Sequence, residues 1–344
     1  MKRRELLGLA ALAAMTGVSG LIARPAWSQA APFRIYMVTW RGLTNVEKGF
    51  KDYFAARKIP VEYIMRDAGQ NPQRLAGFVE EIRQLRPDLV YTWGTSVTLG
   101  IAGPYNAHDA HDVRDARGGF IGDIPVVFAL VASPVGARIV PSLDAPGRKL
   151  TGVSHIAPLA SQLAAMRAYR PFKKIGVLYN AAEQNSVLGV QELKAIGLRE
   201  NFVIIDRTFR RDAAGKPSAQ GVAELVLELK RDGAEWLYIG PDSFLFTVLA
   251  EVTAAAAQVK LPSFASTEAV FESPAGVLAG LVSKYHSVGQ FAAFKAEQIL
   301  AGKVPPATIP VETLKRFSFL VRMSAARKFG MLPPVALFNY AEFL

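Results

Sequence analysis

The strongest constraint on this chain is a regular alternation of strand and helix patterns between residues 33 and 282. Short runs of branched and aromatic residues are typical of buried strands, and the segments between them place apolar residues on one helical face. The first series predicts strands over residues 33–40, 61–66, 88–93 and 124–131, with helices over 46–58 and 72–85. Strand–helix–strand units of this size build a parallel sheet with helices on both faces.

A second series of the same kind follows residue 150. It predicts strands over residues 174–179, 202–206, 235–240, 262–265 and 277–282, with helices over 186–198, 219–231 and 244–258. Two successive series in a chain of 344 residues predict a bilobed α/β protein. In open sheets of this type, ligands bind outside the carboxyl ends of the strands, so the turns that follow strands are the first candidates for a site.

The first thirty residues have the three-part pattern of an export signal. A basic head at Lys2–Arg4 precedes an apolar stretch over residues 6–23, and small residues follow up to Ala30. This pattern predicts a signal peptide over residues 1–30, cleaved near Ala30. A retained membrane anchor is the alternative, because the stretch is close to the shortest length that spans a bilayer. The Arg3–Arg4 pair resembles a twin-arginine signal, and both Sec and Tat export stay open.

Charge and cysteine content narrow the function classes. The formal net charge of +11 falls to +8 once residues 1–30 are removed, because four basic residues and one acidic residue leave with them. The remaining basic residues are scattered, and no zinc finger, RNA-binding signature or basic helix is present, so no nucleic-acid partner is expected. The absence of cysteine excludes disulfides, thiolate metal sites and a lipidated N-terminal cysteine. We therefore expect a freely diffusing monomer.

Three turns at predicted strand ends carry polar groups at helix starts. They are Gly94–Ser96, Asn185–Ser186 and Pro241–Ser243. Helix N-terminal N–H groups together with hydroxyls suit an anion such as a carboxylate, whereas a simple N-cap is the alternative at each turn. Asp242 suits a ligand ammonium, and Trp40–Arg41, after the first strand, suit stacking on a ligand and pairing with it.

Ordered motifs extend over nearly the whole mature chain, from about residue 33 to residue 333. They include PDLV at 87–90, IPVVF at 124–128, SPVGA at 133–137, LTGVS at 150–154, KIGVLYN at 174–180, LPSFAS at 261–266 and YHSVGQ at 285–290. In order and spacing these motifs resemble the ABC-transporter substrate-binding proteins of the tryptophan/tyrosine-type family, which have the type I periplasmic binding-protein fold.

The resemblance implies two doubly wound parallel-sheet lobes joined by a three-strand hinge. Lobe I then comprises residues 31–150 plus 283–317, and lobe II comprises 151–282 plus 318–344. Hinge positions are expected near 151–152, 271–276 and 315–318.

The implied function is that of the extracytoplasmic solute-binding component of an ABC importer. Such a protein closes on a small molecule, here an amino acid or related carboxylate, and delivers it to an inner-membrane ABC permease from the periplasm. By resemblance, the cleft is lined by Thr95, Ser96, Asn185, Ser186, Asp242 and Tyr285.

Two departures from the family pattern bear on the ligand. Ser133 stands where many members carry Asp, and Lys284 precedes Tyr285 where an acidic or neutral residue is usual. Together with Arg41 these changes make the expected mouth more basic and favour a more acidic ligand, unless Lys284 is a solvated rim residue. The ligand-binding candidates are Trp40, Arg41, Thr95, Ser96, Ser133, Asn185, Ser186, Asp242, Ser243, Glu268 and Tyr285.

Metal and cofactor chemistry is not expected. The connection over residues 105–123 contains His108–Asp109 and His111–Asp112, which have metal-ligand chemistry, but a polar surface loop is the favoured interpretation. His155 and His286 are isolated in the sequence and are interpreted as structural or rim residues.

The alternatives to transport are an enzyme and a sensor. A doubly wound enzyme is disfavoured because the sequence has no G-x-G-x-x-G after its first strand, no phosphate-binding P-loop and no nucleophile elbow. The acid pair near the expected cleft is Asp242 and Glu268, whose separation the sequence does not give. A ligand-sensing extracytoplasmic module for a membrane signalling receptor would use the same cleft.

Overall fold

Two β-sheets organise the part of the chain that the computed structural model describes, which is residues 31–106, 119–272 and 276–344. The predicted signal peptide lies outside these ranges, as do His108, Asp109, His111 and Asp112 of the predicted loop. In the described ranges no helix is both long and apolar enough to cross a membrane. Pro32–Leu344 forms one compact unit.

The first sheet has five parallel strands in the order β2-β1-β3-β4-β5. Its strands are β1 (Phe33–Thr39), β2 (Val61–Asp67), β3 (Leu89–Trp93), β4 (Val126–Ala129) and β5 (Leu150–Val153). The accompanying helices are α1 (Asn45–Ala56), α2 (Leu75–Leu85) and α3 (Gly94–Ala102). The middle strands β3 and β4 are almost fully buried, as expected for a parallel sheet covered on both faces.

The second sheet has seven strands in the order β12-β11-β10-β9-β8-β6-β7. All its pairings are parallel except that of β10 with β11. Its strands are β6 (Lys174–Tyr179), β7 (Val203–Thr208), β8 (Trp236–Ile239), β9 (Ser263–Ala265), β10 (Ala279–Val282), β11 (Ser318–Val321) and β12 (Ala341–Phe343). The helices from here to the C-terminus are α4 (Leu159–Tyr169), α5 (Gln184–Glu200), α6 (Val222–Arg231), α7 (Ser243–Thr247), α8 (Leu249–Gln258), α9 (Ala269–Glu272), α10 (Tyr285–Leu300) and α11 (Met323–Phe329).

The predicted fold class is confirmed, since two lobes of alternating strands and helices each contain an open, mostly parallel sheet. Each predicted strand is present, with its ends within a few residues of those expected. The predicted helix over 244–258 is wrong in one respect, because it breaks at Val248 into α7 and α8. β5, β11 and β12 are strands that the sequence patterns did not predict.

The chain passes between the sheets three times. β5 stays in the first sheet as far as Val153, and α4 then packs in the core of the second sheet. β10 pairs within the second sheet, whereas α10 packs on the first, so the chain returns at residues 283–284. The last passage precedes β11, at residues 312–317. The segment 271–276, predicted as a hinge, is therefore upstream of the second passage, while the lobe boundaries stay a prediction.

Lys295 of α10 ties the last passage to the first lobe. Its ammonium is buried and donates to the Pro310 carbonyl and to the Glu312 carboxylate, each at 2.7 Å. Glu312 in turn forms an isolated parallel bridge with Val153 at the end of β5. Two of the three passages are thus joined to each other.

Candidate ligand-binding cleft

A cavity of about 80 Å³ lies where the carboxyl ends of strands from both sheets face each other. The first sheet contributes the turns after β1 and β3, and the second contributes the turns after β6 and β8. The side chains of the first group include Trp40, Arg41, Trp93, Thr95 and Ser96, and those of the second include Glu183, Asn185, Asp242, Ser243 and Phe246. We call this space the cleft cavity.

The structure brings together eight of the eleven predicted ligand-binding residues. Those lining the cleft cavity are Trp40, Arg41, Thr95, Ser96, Asn185, Asp242, Ser243 and Tyr285. Ser133 and Ser186 line an adjoining cavity instead. Glu268 lines neither cavity: its carboxylate accepts a hydrogen bond from the Tyr285 backbone N–H at the start of α10. Ligand contact by these residues stays a prediction.

Arg41 carries the positive charge of the cleft cavity. Its guanidinium carbon lies 4.2 Å from the centre of the Phe246 ring and 5.3 Å from that of Trp93. Guanidinium groups are attracted to aromatic faces, which explains how the side chain is held. Within the described part of the chain, no carboxylate lies within ion-pair distance of Arg41. The charge is thus held in place and remains available to an anion.

Asp242 is both an N-cap and a lining residue. One carboxylate oxygen accepts the Leu245 N–H at 2.8 Å at the start of α7, and the other accepts the Asn180 N–H at 2.7 Å. Asp242 therefore caps α7, as the alternative interpretation of this turn expected, and its side chain still lines the cavity. Burial raises the pKa of Asp242, and the hydrogen bonds from the backbone oppose this.

Glu183 is a cleft residue that the sequence analysis missed. Its carboxylate accepts from the Ser243 N–H at 2.9 Å, the Ser243 hydroxyl at 3.1 Å and the Asn185 amide at 3.0 Å. Burial, with the nearby charge of Asp242 second, raises the pKa of Glu183 to about 7. The sequence signal that could have identified Glu183 is its position just before the Asn185–Ser186 turn. The helix was predicted to begin at residue 186, whereas α5 begins at Gln184, directly after Glu183.

The two other polar turns differ in whether their polar groups already have hydrogen-bond partners within the protein. Asn185 and Ser186 are occupied, because their side chains donate to the Pro241 carbonyl at 2.6 and 3.2 Å. α3, by contrast, starts directly at Gly94 with no side-chain cap among the described residues. Its first residues, Gly94, Thr95 and Ser96, line the cavity, and an uncapped helix start of this kind suits a carboxylate.

His155 is a second lining residue that was not predicted as such. It is 4% exposed, and its ring centre lies 6.0 Å from that of Tyr285 in an edge-to-face arrangement. Burial, assisted by the charge of Arg41, lowers the pKa of His155 to about 3, so the imidazole is neutral. Within the described ranges, neither its Nδ1 nor the Trp93 Nε1 has a hydrogen-bond partner. Both atoms are buried in the wall of the cleft cavity.

Lys284 lies at the rim of the cleft and does not line the cavity. Its ammonium is 2.9 Å from the Glu342 carboxylate and 3.7 Å from that of Glu268. The rim interpretation is therefore the one that matches the structure, and the contribution of Lys284 to a more basic mouth is offset by two carboxylates. His286 is likewise at the surface, 2.9 Å from Asp52. In the described ranges no group of three or more His, Asp or Glu side chains is arranged to hold a metal ion.

Known proteins resemble this chain over most of its length. A family model described as ABC transporter substrate binding protein matches residues 35–343. A tyrosine-binding protein of Clostridioides difficile strain R20291 is 28% identical over 210 residues, which cover 61% of this chain and 58% of the relative. The match thus spans less than two thirds of that relative's own length.

Solved structures show the same fold. The ABC domain from Streptococcus pneumoniae in complex with L-Trp has a TM-score of 0.74 at 22% identity, covering 91% of this chain and 99% of that one. A conserved domain protein from Vibrio cholerae O1 biovar El Tor has a TM-score of 0.74 at 22% identity, covering 90% and 99%. The ligand-free, open structure of CD0873 from Clostridium difficile has a TM-score of 0.67 at 20% identity, covering 91% and 99%.

Proposed function

The chain belongs to the family of ABC transporter substrate-binding proteins, and we propose that it is an exported receptor that closes on an aromatic or other apolar amino acid. The family consists of solute-binding proteins rather than enzymes, in agreement with the prediction that this chain is not an enzyme. The more specific proposal, that the ligand is an amino acid, depends on the chemistry of the cleft cavity.

The observation that carries the proposal is a pair of opposite charges across one small cavity. Arg41, from the first lobe, presents a guanidinium without an acidic partner among the described residues, while Glu183 and Asp242 present carboxylates from the second. An amino acid has both complementary charges, an ammonium and a carboxylate, on groups attached to the same carbon. Its carboxylate pairs with Arg41 and the first turn of α3, and its ammonium pairs with the carboxylates. Interactions of this type are charge-assisted and directional.

The aromatic lining supports an apolar side chain on the ligand. Trp40, Trp93 and Phe246 border the cleft cavity beside Arg41. Aromatic rings favour flat or apolar groups through stacking and area burial. The relative that carries the name tyrosine-binding protein and the structural neighbour with bound L-Trp support the same ligand class.

Closure follows from the placement of these groups on different lobes. A ligand that touches Arg41 and Glu183 together binds the closed form better than the open one and shifts the population toward it. We propose that an inner-membrane ABC permease recognises this closed form in the periplasm. The export pattern ending near Ala30 supports that location, and the lack of cysteine excludes a lipid attached to an N-terminal cysteine.

Calorimetry with tyrosine and two truncated analogues tests the ligand class. Tyramine lacks the carboxylate and 3-(4-hydroxyphenyl)propanoate lacks the ammonium. We expect the purified protein to bind tyrosine at least about tenfold more tightly than either analogue, since each lost charge-assisted contact is worth about 1.5–3 kcal/mol.

Substitution of Arg41 tests whether this residue binds the carboxylate of the ligand. Arg41→Gln should weaken tyrosine binding more than tyramine binding, because only tyrosine has a carboxylate for the guanidinium. Lys284→Gln is the matched control, since it removes a positive charge at the rim and should bind tyrosine like the unmodified protein. Equal binding of all three compounds, or full tyrosine affinity in Arg41→Gln, contradicts the proposal.

A further inference from the structure

A larger cavity adjoins the cleft cavity beneath helix α5. Its volume is about 300 Å³, against about 80 Å³ for the cleft cavity. We call it the side compartment. Five residues line both spaces, so the two share one wall: Ala132, Asn185, Gly240, Pro241 and Asp242.

The side compartment is mainly apolar. Its lining includes Leu159, Val177 and Leu193, which belong to the buried core of the second sheet. The charged residues among its described lining are Glu192 and Asp242. Protein interiors are normally packed as densely as organic crystals, so an apolar space of this size beside a polar site is typical of a pocket for a hydrophobic group.

The sizes of the neighbouring spaces constrain how a ligand is arranged. The cleft cavity is the smaller of the two, at about 80 Å³ against about 300 Å³, so the side compartment has more room for the end of a large side chain. The cleft cavity also adjoins a wider space of about 600 Å³, whose lining combines apolar side chains with polar ones such as Gln70, Asn180 and Lys216. A hydrocarbon group is favoured in the side compartment, where its area is removed from water.

We propose that the side compartment binds the hydrophobic end of the ligand, and that the protein selects amino acids with long or bulky apolar side chains. This inference rests on the proposed function, which places the amino-acid head group in the cleft cavity. At the shared wall, Asp242 provides the partner for the ammonium, while Ala132 and Pro241 provide apolar contacts for the first carbons of the side chain.

Gly189 offers a direct test, because it lines the side compartment from α5. A Cβ at this position meets no heavy atom within 4 Å, so a larger side chain is accommodated at the expense of the empty space. Gly189→Leu should fill the compartment and Gly189→Ala should fill it partly. Replacing a glycine inside a helix also favours folding, so the variants should remain folded.

The measurement is calorimetric affinity for alanine, norvaline, norleucine and 2-aminooctanoate. In the unmodified protein each added methylene should strengthen binding by up to about fourfold, as expected for a buried methylene. Gly189→Leu should abolish this dependence on length and weaken 2-aminooctanoate binding by more than about tenfold, while alanine binding stays the same. Gly189→Ala should give an intermediate loss.

Gly77→Leu is the matched control, since Gly77 also lies within a helix, its Cβ position is open, and it lines none of these spaces. It should keep the full dependence on length. Two results would contradict binding in the side compartment and leave the proposed function standing. One is an affinity that does not change with side-chain length, and the other is a Gly189→Leu variant whose affinity changes with length as in the unmodified protein. If the protein binds neither tyrosine nor any amino acid of the series, both the side compartment and the proposed function are overturned.

Discussion

Arg41 and Glu183 occupy opposite sides of the cleft cavity and are stabilised in different ways. Arg41 is held by two aromatic rings, an arrangement that suits the weakly hydrated guanidinium group and keeps its hydrogen-bond donors free. Glu183 is held by three hydrogen bonds from Ser243 and Asn185, yet burial and the neighbouring Asp242 disfavour its charge. Under the proposed function, the ammonium of a bound amino acid would supply the missing counter-charge.

The raised pKa of Glu183 predicts that amino-acid affinity depends on pH. Below the pKa of about 7 the carboxyl binds a proton in the empty cleft, and an ammonium ligand has to displace it. Affinity should therefore be about tenfold weaker at pH 6 than at pH 8, and binding at pH 6 should release close to one proton. Calorimetry in buffers of different ionisation enthalpy measures that release.

Glu183→Gln should bind more weakly at pH 8 and lose both the pH dependence and the proton release, because the amide does not titrate. Glu251→Gln is the control, since Glu251 is an exposed residue of α8 that does not line the cleft cavity. A Glu183→Gln protein that still releases a proton on binding contradicts the assignment.

Individual cleft residues were predictable from the sequence where they follow strands directly. Trp40–Arg41 and Thr95–Ser96 come immediately after β1 and β3, so the rule for open parallel sheets places them in the cleft. His155 was not predictable in this way, since it follows β5, a four-residue strand containing Gly152 that has no clear strand pattern. Its role depends on burial against Tyr285, which is distant in sequence.

At the scale of elements, the close packing of α1 on α10 positions the start of α10 beside the cleft. A Cβ on Gly289 would lie 1.9 Å from the Val46 carbonyl oxygen, and one on Gly49 would lie 2.0 Å from the His286 carbonyl oxygen. Each helix thus approaches the backbone of the other at a glycine. This contact is what returns the chain to the first lobe after β10 and places Tyr285 in the lining.

Gly289→Ala should therefore destabilise the protein by about 1–3 kcal/mol or more, the range for overpacking a close contact, because neither backbone is free to move away. Gly77→Ala, in the open part of α2, should instead stabilise by about 0.5–1 kcal/mol. Chemical denaturation of the two variants measures both free energies of unfolding. A Gly289→Ala variant as stable as the unmodified protein would show that the helices separate easily.

Elements with strong local patterns were predicted well, whereas those defined by tertiary contacts were not. β6 matches its predicted bounds, since KIGVLY is a compact apolar run. The break between α7 and α8 at Val248 follows from backbone angles outside the helical range, φ −106° and ψ 12°, with no proline or glycine to indicate it. β12 is a three-residue edge strand defined by its pairing with β11.

At the scale of the whole molecule, specific side-chain contacts join the two lobes. Arg41 of the first lobe lies over Phe246 of the second, and the Asn45 amide donates to the Glu272 carboxylate at 2.7 Å. The order of sheets and the two-lobed fold were predictable because strand–helix alternation is a local pattern. The way the lobes meet was not, since it depends on pairs such as these, which are about 200 residues apart in sequence.

The contact of Arg41 with Phe246 should bias the empty protein toward closure, since it exists only when the lobes approach. Phe246→Ala removes it, and a cation–π contact of about 0.5–2 kcal/mol corresponds to an about 2- to 30-fold shift toward the open form. Small-angle X-ray scattering of the ligand-free variant should give a larger mean radius of gyration. Phe244→Ala is the control, because that ring packs on Phe209 within the second lobe and should leave the scattering unchanged. Identical scattering from Phe246→Ala and the unmodified protein would mean that closure depends on the ligand alone.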